Sequence, residues 1–127
     1  APGRARATGL YASDEDRLCV VPAASGGAGY RIGVLVRYDE AHGCTARGTA
    51  ARTGDRLDVD LGQGEGDCRF VARFEGDRIV FPADLPPGCD RRCTGRASLG
   101  ALAVERLGDG IAEASAQRDR SGRSLCG

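Results

Sequence analysis

Hydrophobic residues along this chain recur mostly at every second position. Tyr30, Ile32, Val34, Val36 and Tyr38 fall on one side, with Arg31, Gly33 and Arg37 on the other. That period is the signature of a strand with one buried face. Leu35 breaks the alternation. Leu57, Val59 and Leu61 alternate with Arg56, Asp58 and Asp60. Cys68, Phe70, Ala72 and Phe74 share a face opposite Arg69 and Arg73. Shorter strands are expected at Leu10-Tyr11, at 18–21 before Pro22, at 79–81 and, more weakly, at 45–52.

Turn signals separate these runs. Asp14-Glu15-Asp16 reads as a solvated turn and 39–43 as another. Thr53-Gly54-Asp55 and Glu75-Gly76-Asp77 read as tight turns, and Gly62 to Gly66 as a loop. Residues 82–95 carry three prolines and two cysteines, which predicts an irregular, covalently pinned loop. Residues 97–107 fit both periods, because Leu99, Leu102, Ala103, Arg106 and Leu107 have helical spacing; a strand over 101–107 is the preferred reading. A short helix is expected over 111–120, with Asp109 as N-cap and Gly122 beyond its end.

The sum is an all-β fold. It is an antiparallel meander barrel or curved sheet of about seven or eight strands, with a short C-terminal helix. Full closure would remove the exposed edges that invite aggregation. Residues 1–8 are small and polar and read as a flexible segment, and residues 9–127 as one domain.

Composition adds a constraint. Aromatics are 5% of the chain, with no Trp and no Met, so the core is built from aliphatic residues and a few rings. Such a core gains from cross-links. Cys19, Cys44, Cys68, Cys89, Cys93 and Cys126 are an even set spread over a short chain, as in disulfide frameworks of oxidising compartments. Zinc sites usually show two close cysteine pairs. Here only Cys89 and Cys93 are close. Six cysteines allow 15 connectivities. The preferred set is Cys19–Cys44, Cys68–Cys89 and Cys93–Cys126, with loops that stabilise by about 3 kcal/mol each through chain entropy. Cys68–Cys93 with Cys89–Cys126 is the main rival.

Charge argues against a nucleic-acid partner. The formal net charge is zero, all positive charge is Arg, and no basic run stands out. No stretch is long and apolar enough to span a bilayer. The start Ala1-Pro2-Gly3 suggests a removed leader, and a lipid anchor in the precursor is compatible with it. Periplasmic or secreted location and a monomeric state are the expectations, with no cofactor.

Candidate chemistry is sparse. His42 sits in a predicted turn beside Asp39 and Glu40, but no Ser or Cys carries a nucleophile motif. Asp14 to Asp16 lacks the alternating pattern of a calcium loop. The run Gly62 to Gly66 superficially resembles a phosphate loop, yet a strand rather than a helix is expected to follow. Cys89 and Cys93 have three residues between them, rather than the two of a thioredoxin-like motif, and read as a structural pin. Arg91 and Arg92 between them are candidates for contact with an acidic partner. Ser25, Gly26, Gly27, Ala28 and Tyr30 form a small-residue loop able to enter a narrow cleft.

Gly9-Leu10-Tyr11, followed by Cys19-Val20-Val21 and Cys44, resembles the start of the small periplasmic inhibitors of bacterial alkaline metalloproteases. The likeness covers the first third of the chain. It implies an eight-stranded lipocalin-like barrel with one disulfide near its start. Tyr11 stands where that family usually has Trp, and the four later cysteines lie outside its pattern. The Ser25–Tyr30 loop is similar to the Ser-Gly-Ser-Gly-Ala-Lys-Tyr loop of periplasmic inhibitors of c-type lysozyme, one residue shorter and without the Lys. The chain also resembles secreted or lipoprotein-like proteins of GC-rich proteobacteria. Together these imply a non-catalytic binding protein, an inhibitor of a secreted protease or lysozyme. The alternatives are a carrier holding a small apolar ligand in its barrel and a structural envelope protein.

Overall fold

The computed structural model of the protein describes residues 6–23, 29–62 and 66–126. Its strands are β1 (Gly9–Ser13), β2 (Asp16–Pro22), β3 (Gly29–Arg37), β4 (Gly43–Thr53), β5 (Arg56–Asp60), β6 (Arg69–Phe74), β7 (Arg78–Val80) and β8 (Ala103–Gly108). Each pairs antiparallel with the next, and β8 returns to β1, so the sheet is a closed barrel. A 3-10 helix, Pro87–Arg92, lies between β7 and β8, and α1 (Ile111–Ala116) follows β8.

The period-two residues point inward as expected. Leu18, Val20, Ile32, Val34, Leu57, Val59, Phe74 and Ile79 belong to one buried interior cluster. Burying each such side chain contributes about 1.5–3 kcal/mol. Tyr38 departs from the pattern. It lies beyond the end of β3 and is 59% exposed, because its backbone N–H turns to the carbonyl of His42.

Strand direction alternates, so the connections after β1, β3, β5 and β7 share one rim. Those after β2, β4 and β6 share the other. Residues 81–102 close the first rim, inserting Phe81, Cys89, Ala97, Leu99 and Leu102 into the interior cluster. At the second rim the domain begins earlier than Gly9. Ala7 and Thr8 are buried, and the Tyr11 hydroxyl donates to the Ala7 carbonyl at 2.7 Å. Residues 6–8 therefore belong to the barrel; residues 1–5 lie outside the described residues.

A second, smaller cluster sits on the outer wall. Cys19, Val21 and Leu35 point outward and are covered by Ala114, Leu125 and Cys126 of the C-terminal tail. This explains the apolar Leu35 on the polar side of β3. The tail approaches so closely that a Cβ on Gly33 would collide with the Leu125 carbonyl oxygen.

α1 is shorter than expected and is not capped by Asp109. It runs over six residues with Gly110 at the N-cap position. It stops at Gln117 because the next segment prefers a side-chain-capped turn. The Asp119 carboxylate accepts the N–H groups of Ser121 and Arg123, and such local bonds compete with a helix.

The cysteines pair as Cys19–Cys126, Cys44–Cys93 and Cys68–Cys89. The expected Cys68–Cys89 is present. Cys19–Cys44 and Cys93–Cys126 are not, and neither is the rival pair. The reason is geometric. Cys19 lies opposite Gly33 and Cys44 opposite Val36, so β3 separates them. Cys19 also faces the outer cluster and Cys44 the interior. The bridges span 107, 49 and 21 residues, each contributing about 3–5 kcal/mol through loop-closure entropy.

Candidate functional site

The expected binding residues do not converge. Ser25, Gly26, Gly27 and Ala28 lie outside the described residues. β2 ends at Pro22, and the next residue, Ala23, donates its N–H to the Gly29 carbonyl at 3.0 Å. Tyr30 is not a loop residue. It belongs to β3, opposite Pro22 and Ala50, and packs half-buried against the interior cluster.

Arg91 and Arg92 sit at the opposite rim. Arg91 Nη1 meets Asp67 Oδ2 at 2.9 Å, and Arg92 Nη2 meets Asp67 Oδ1 at 3.4 Å. Arg92 Nε also donates to the Leu61 carbonyl at 3.1 Å. Asp67 thus ties the 3-10 helix to the β5–β6 connection, beside the Cys68–Cys89 bridge. Arg92 is committed to this joint. Arg91 keeps 70% of its side chain exposed, and its ion pair is the weaker kind. Cys89 and Cys93 bond to different partners, so they pin this segment to the β5–β6 connection and to β4.

His42 occupies the first rim. Its Nδ1 lies 2.9 Å from Asp39 Oδ2, and this bond holds the Asp39 carboxyl below its ordinary range. The imidazole also rests on Gly95, where a Cβ would collide with it. The neighbouring hydroxyl, Thr94 Oγ1, accepts the Gly43 N–H at 3.1 Å and donates back to the Gly43 carbonyl. The His–Asp pair therefore braces a turn next to the Cys44–Cys93 bridge. After the Gly62–Gly66 connection, β6 follows rather than a helix.

The second rim is organised by Arg106. It was read only as one position in an ambiguous helix-or-strand pattern. Its guanidinium donates to the carbonyls of Thr8 at 2.9 Å, Arg6 at 2.7 Å and Gly76 at 2.6 Å. It also stacks 5.1 Å from the Tyr11 ring centre and 5.7 Å from that of Phe74. Burial pushes the Tyr11 phenol up to about 12, with Arg106 opposing part of the shift.

The interior is occupied by the protein's own side chains. Tyr11, Leu18, Leu57, Phe74 and Phe81 are all essentially inaccessible, and the Phe70 and Phe81 rings meet in a tilted pair, 4.7 Å between ring centres. Sequence reasoning missed a grouping on the outer wall, where Arg17 and Arg37 meet Arg118 and Arg120 in one groove of about 630 Å³. Only closure of the barrel and docking of the tail bring these residues together. No group of acidic, His or Cys side chains able to hold a metal occurs among the described residues. Comparison with family models, curated proteins and solved structures found no match.

Proposed function

We propose that this chain is a non-catalytic binding protein of an oxidising extracytoplasmic compartment, and that it inhibits a secreted hydrolase, a protease or a lysozyme. One observation carries the reading: a barrel filled by its own side chains and fastened by three disulfides. Such a body recognises partners with its outer surface and rims, not with a lumen. The packed interior favours this over capture of an apolar ligand inside the barrel.

Rigidity supports the inhibitor role. A surface fixed before contact loses little entropy on binding. The Ser25–Ala28 connection is the proposed contact, because small residues approach a cleft with little steric cost. All six cysteines are paired, as expected of proteins outside the cytosol, and no described helix is long and apolar enough to cross a membrane. A periplasmic site of action is part of the proposal.

The test is inhibition and pull-down of the oxidised protein with secreted metalloproteases and c-type lysozymes. The proposal expects stoichiometric inhibition of one class, lost in Gly26→Glu. Absence of binding to both classes removes the inhibitor role.

A further inference from the structure

The arginines of the barrel wall fall into two groups. From β4 to β7 five of them are matched by carboxylates: Arg47 with Asp119, Arg56 with Asp58, Arg69 with Asp60, and Arg73 and Arg78 with Glu75. Between the β2–β3 wall and the C-terminal tail, the groove lined by Arg17, Arg37, Arg118 and Arg120 lacks that matching. None of these four forms an ion pair with a carboxylate among the described residues.

Their hydrogen bonds go to backbone instead. Arg17 Nη1 donates to the carbonyls of Asp14 and Asp16, at 2.7 and 2.8 Å. Arg118 Nη1 donates to the Gly122 carbonyl at 2.8 Å. Arg120 donates to the carbonyls of His42 and Glu40. The Arg37 guanidinium has no hydrogen-bond or ion-pair partner among the described residues. A carbonyl orients a guanidinium without cancelling its charge. Arg17, Arg118 and Arg120 are therefore aimed while keeping free N–H donors in the fork geometry that suits oxyanions, and Arg37 keeps all of its donors.

The acids of the groove do not offset this. Asp119 is neutralised from the other side by Arg47, and its side chain is only 7% exposed. That leaves Glu15 in the lining and Asp16 beside it, whose Oδ1 accepts the Arg37 backbone N–H at 3.1 Å, to oppose four cations. Leu35 forms a floor, with Arg17 directly across from it on β2. The tail wall is held by the Cys19–Cys126 bridge. A volume of about 630 Å³ falls in the range of small-molecule sites.

We propose that this groove binds the phosphate groups of a small hydrophilic ligand, with Arg17, Arg37, Arg118 and Arg120 as the cationic contacts. The site is separate from the Ser25–Ala28 connection, so it stands or falls independently of the inhibitor role.

Inorganic pyrophosphate is the probe, titrated calorimetrically into the oxidised protein at low ionic strength, where exposed charges are least screened. Arg37→Gln removes a side chain without described bonds and leaves folding intact. Arg37→Gln/Arg118→Gln removes two of the four charges. The control, Arg56→Gln/Arg73→Gln, removes two matched arginines elsewhere on the wall. The expected result is one-site binding, weakened about tenfold or more in the double variant and unchanged in the control. No binding, or equal weakening in the control, overturns the proposal. A second arm uses phosphatidylcholine vesicles containing phosphatidylglycerol. Sedimentation lost in the double variant supports the site and makes a lipid headgroup the source of phosphate. Pyrophosphate binding without sedimentation supports the site with a free solute as ligand. Sedimentation unaffected by the double variant overturns it.

Discussion

Arg106 on the last strand lies over the ring of Tyr11 on the first, its guanidinium carbon 5.1 Å from the ring centre. The same guanidinium reaches carbonyls of residues 6, 8 and 76, so one side chain joins the barrel seam, the N-terminal segment and the β6–β7 turn. Replacing Arg106 by Gln is expected to cost about 1–3 kcal/mol, because two half-buried carbonyls and one exposed carbonyl lose a charged donor. Arg106→Lys should recover only part of this, since an ammonium lacks the planar fork. Guanidinium denaturation of the oxidised proteins checks both. A loss below about 0.5 kcal/mol, the range of ordinary surface changes, would remove Arg106 as the clasp.

Tyr11 gives the protein an alkaline limit. Its phenol is raised to about 12 in the folded chain, against about 10 when unfolded. The folded state therefore favours the protonated form. Stability is intact below pH 10 and falls as pH rises toward 12, by about 2–3 kcal/mol when complete. Tyr11→Phe should be less stable at neutral pH, having lost the bond to Ala7, but should show a flatter alkaline limb. Denaturation midpoints across this window distinguish the two; parallel limbs would contradict the assignment.

Gly33 is required by the tail. A Cβ there meets the backbone of Leu125, which cannot yield as a flexible side chain would. Gly33→Ala should destabilise by about 1–3 kcal/mol. It should also speed trypsin cleavage after Arg118, Arg120 and Arg123. Unchanged cleavage would mean the tail does not rest on β3.

Asp119 makes tail docking acid-sensitive. The Arg47 guanidinium, helped by the Ser121 hydroxyl, holds its carboxyl well below the ordinary range. Its contribution is present above about pH 4, the unfolded value, and is lost as pH falls below it. Asp119→Asn should cost about 1–3 kcal/mol at neutral pH and should abolish acid-induced loosening of residues 117–126. Hydrogen exchange of this segment is the readout, and identical acid profiles would contradict the account.

The strand pattern was legible because each wall faces two solvents, water and the core, and the alternation records that. β5 and β6 follow it closely, while closure of the sheet rests on the pairing of β8 with β1. The tail was only half legible. Leu35 and the doubly apolar run Leu18-Cys19-Val20-Val21 carry the signal that β2 and β3 are covered on both faces, but neither says by which segment. Asp119 ended the helix early because a carboxylate can cap a turn as well as decorate a helix, which local spacing does not separate. The cysteine pairing was not legible, because it depends on which wall face each residue occupies and which strand intervenes. For the same reason the groove arginines stayed hidden. Arg17 and Arg37 become neighbours of Arg118 and Arg120 only after the tail crosses the barrel.

The account rests on a barrel held shut by Cys19–Cys126, Cys44–Cys93 and Cys68–Cys89. Trypsin separates all six cysteines onto different peptides, since an Arg lies between each successive pair. Mass spectrometry of an unreduced digest should find residues 18–31 joined to 124–127, 38–47 joined to 93–96, and 57–69 joined to 79–91. Free thiols, or residues 18–31 joined to 38–47, would contradict both the covalent frame and the docked tail.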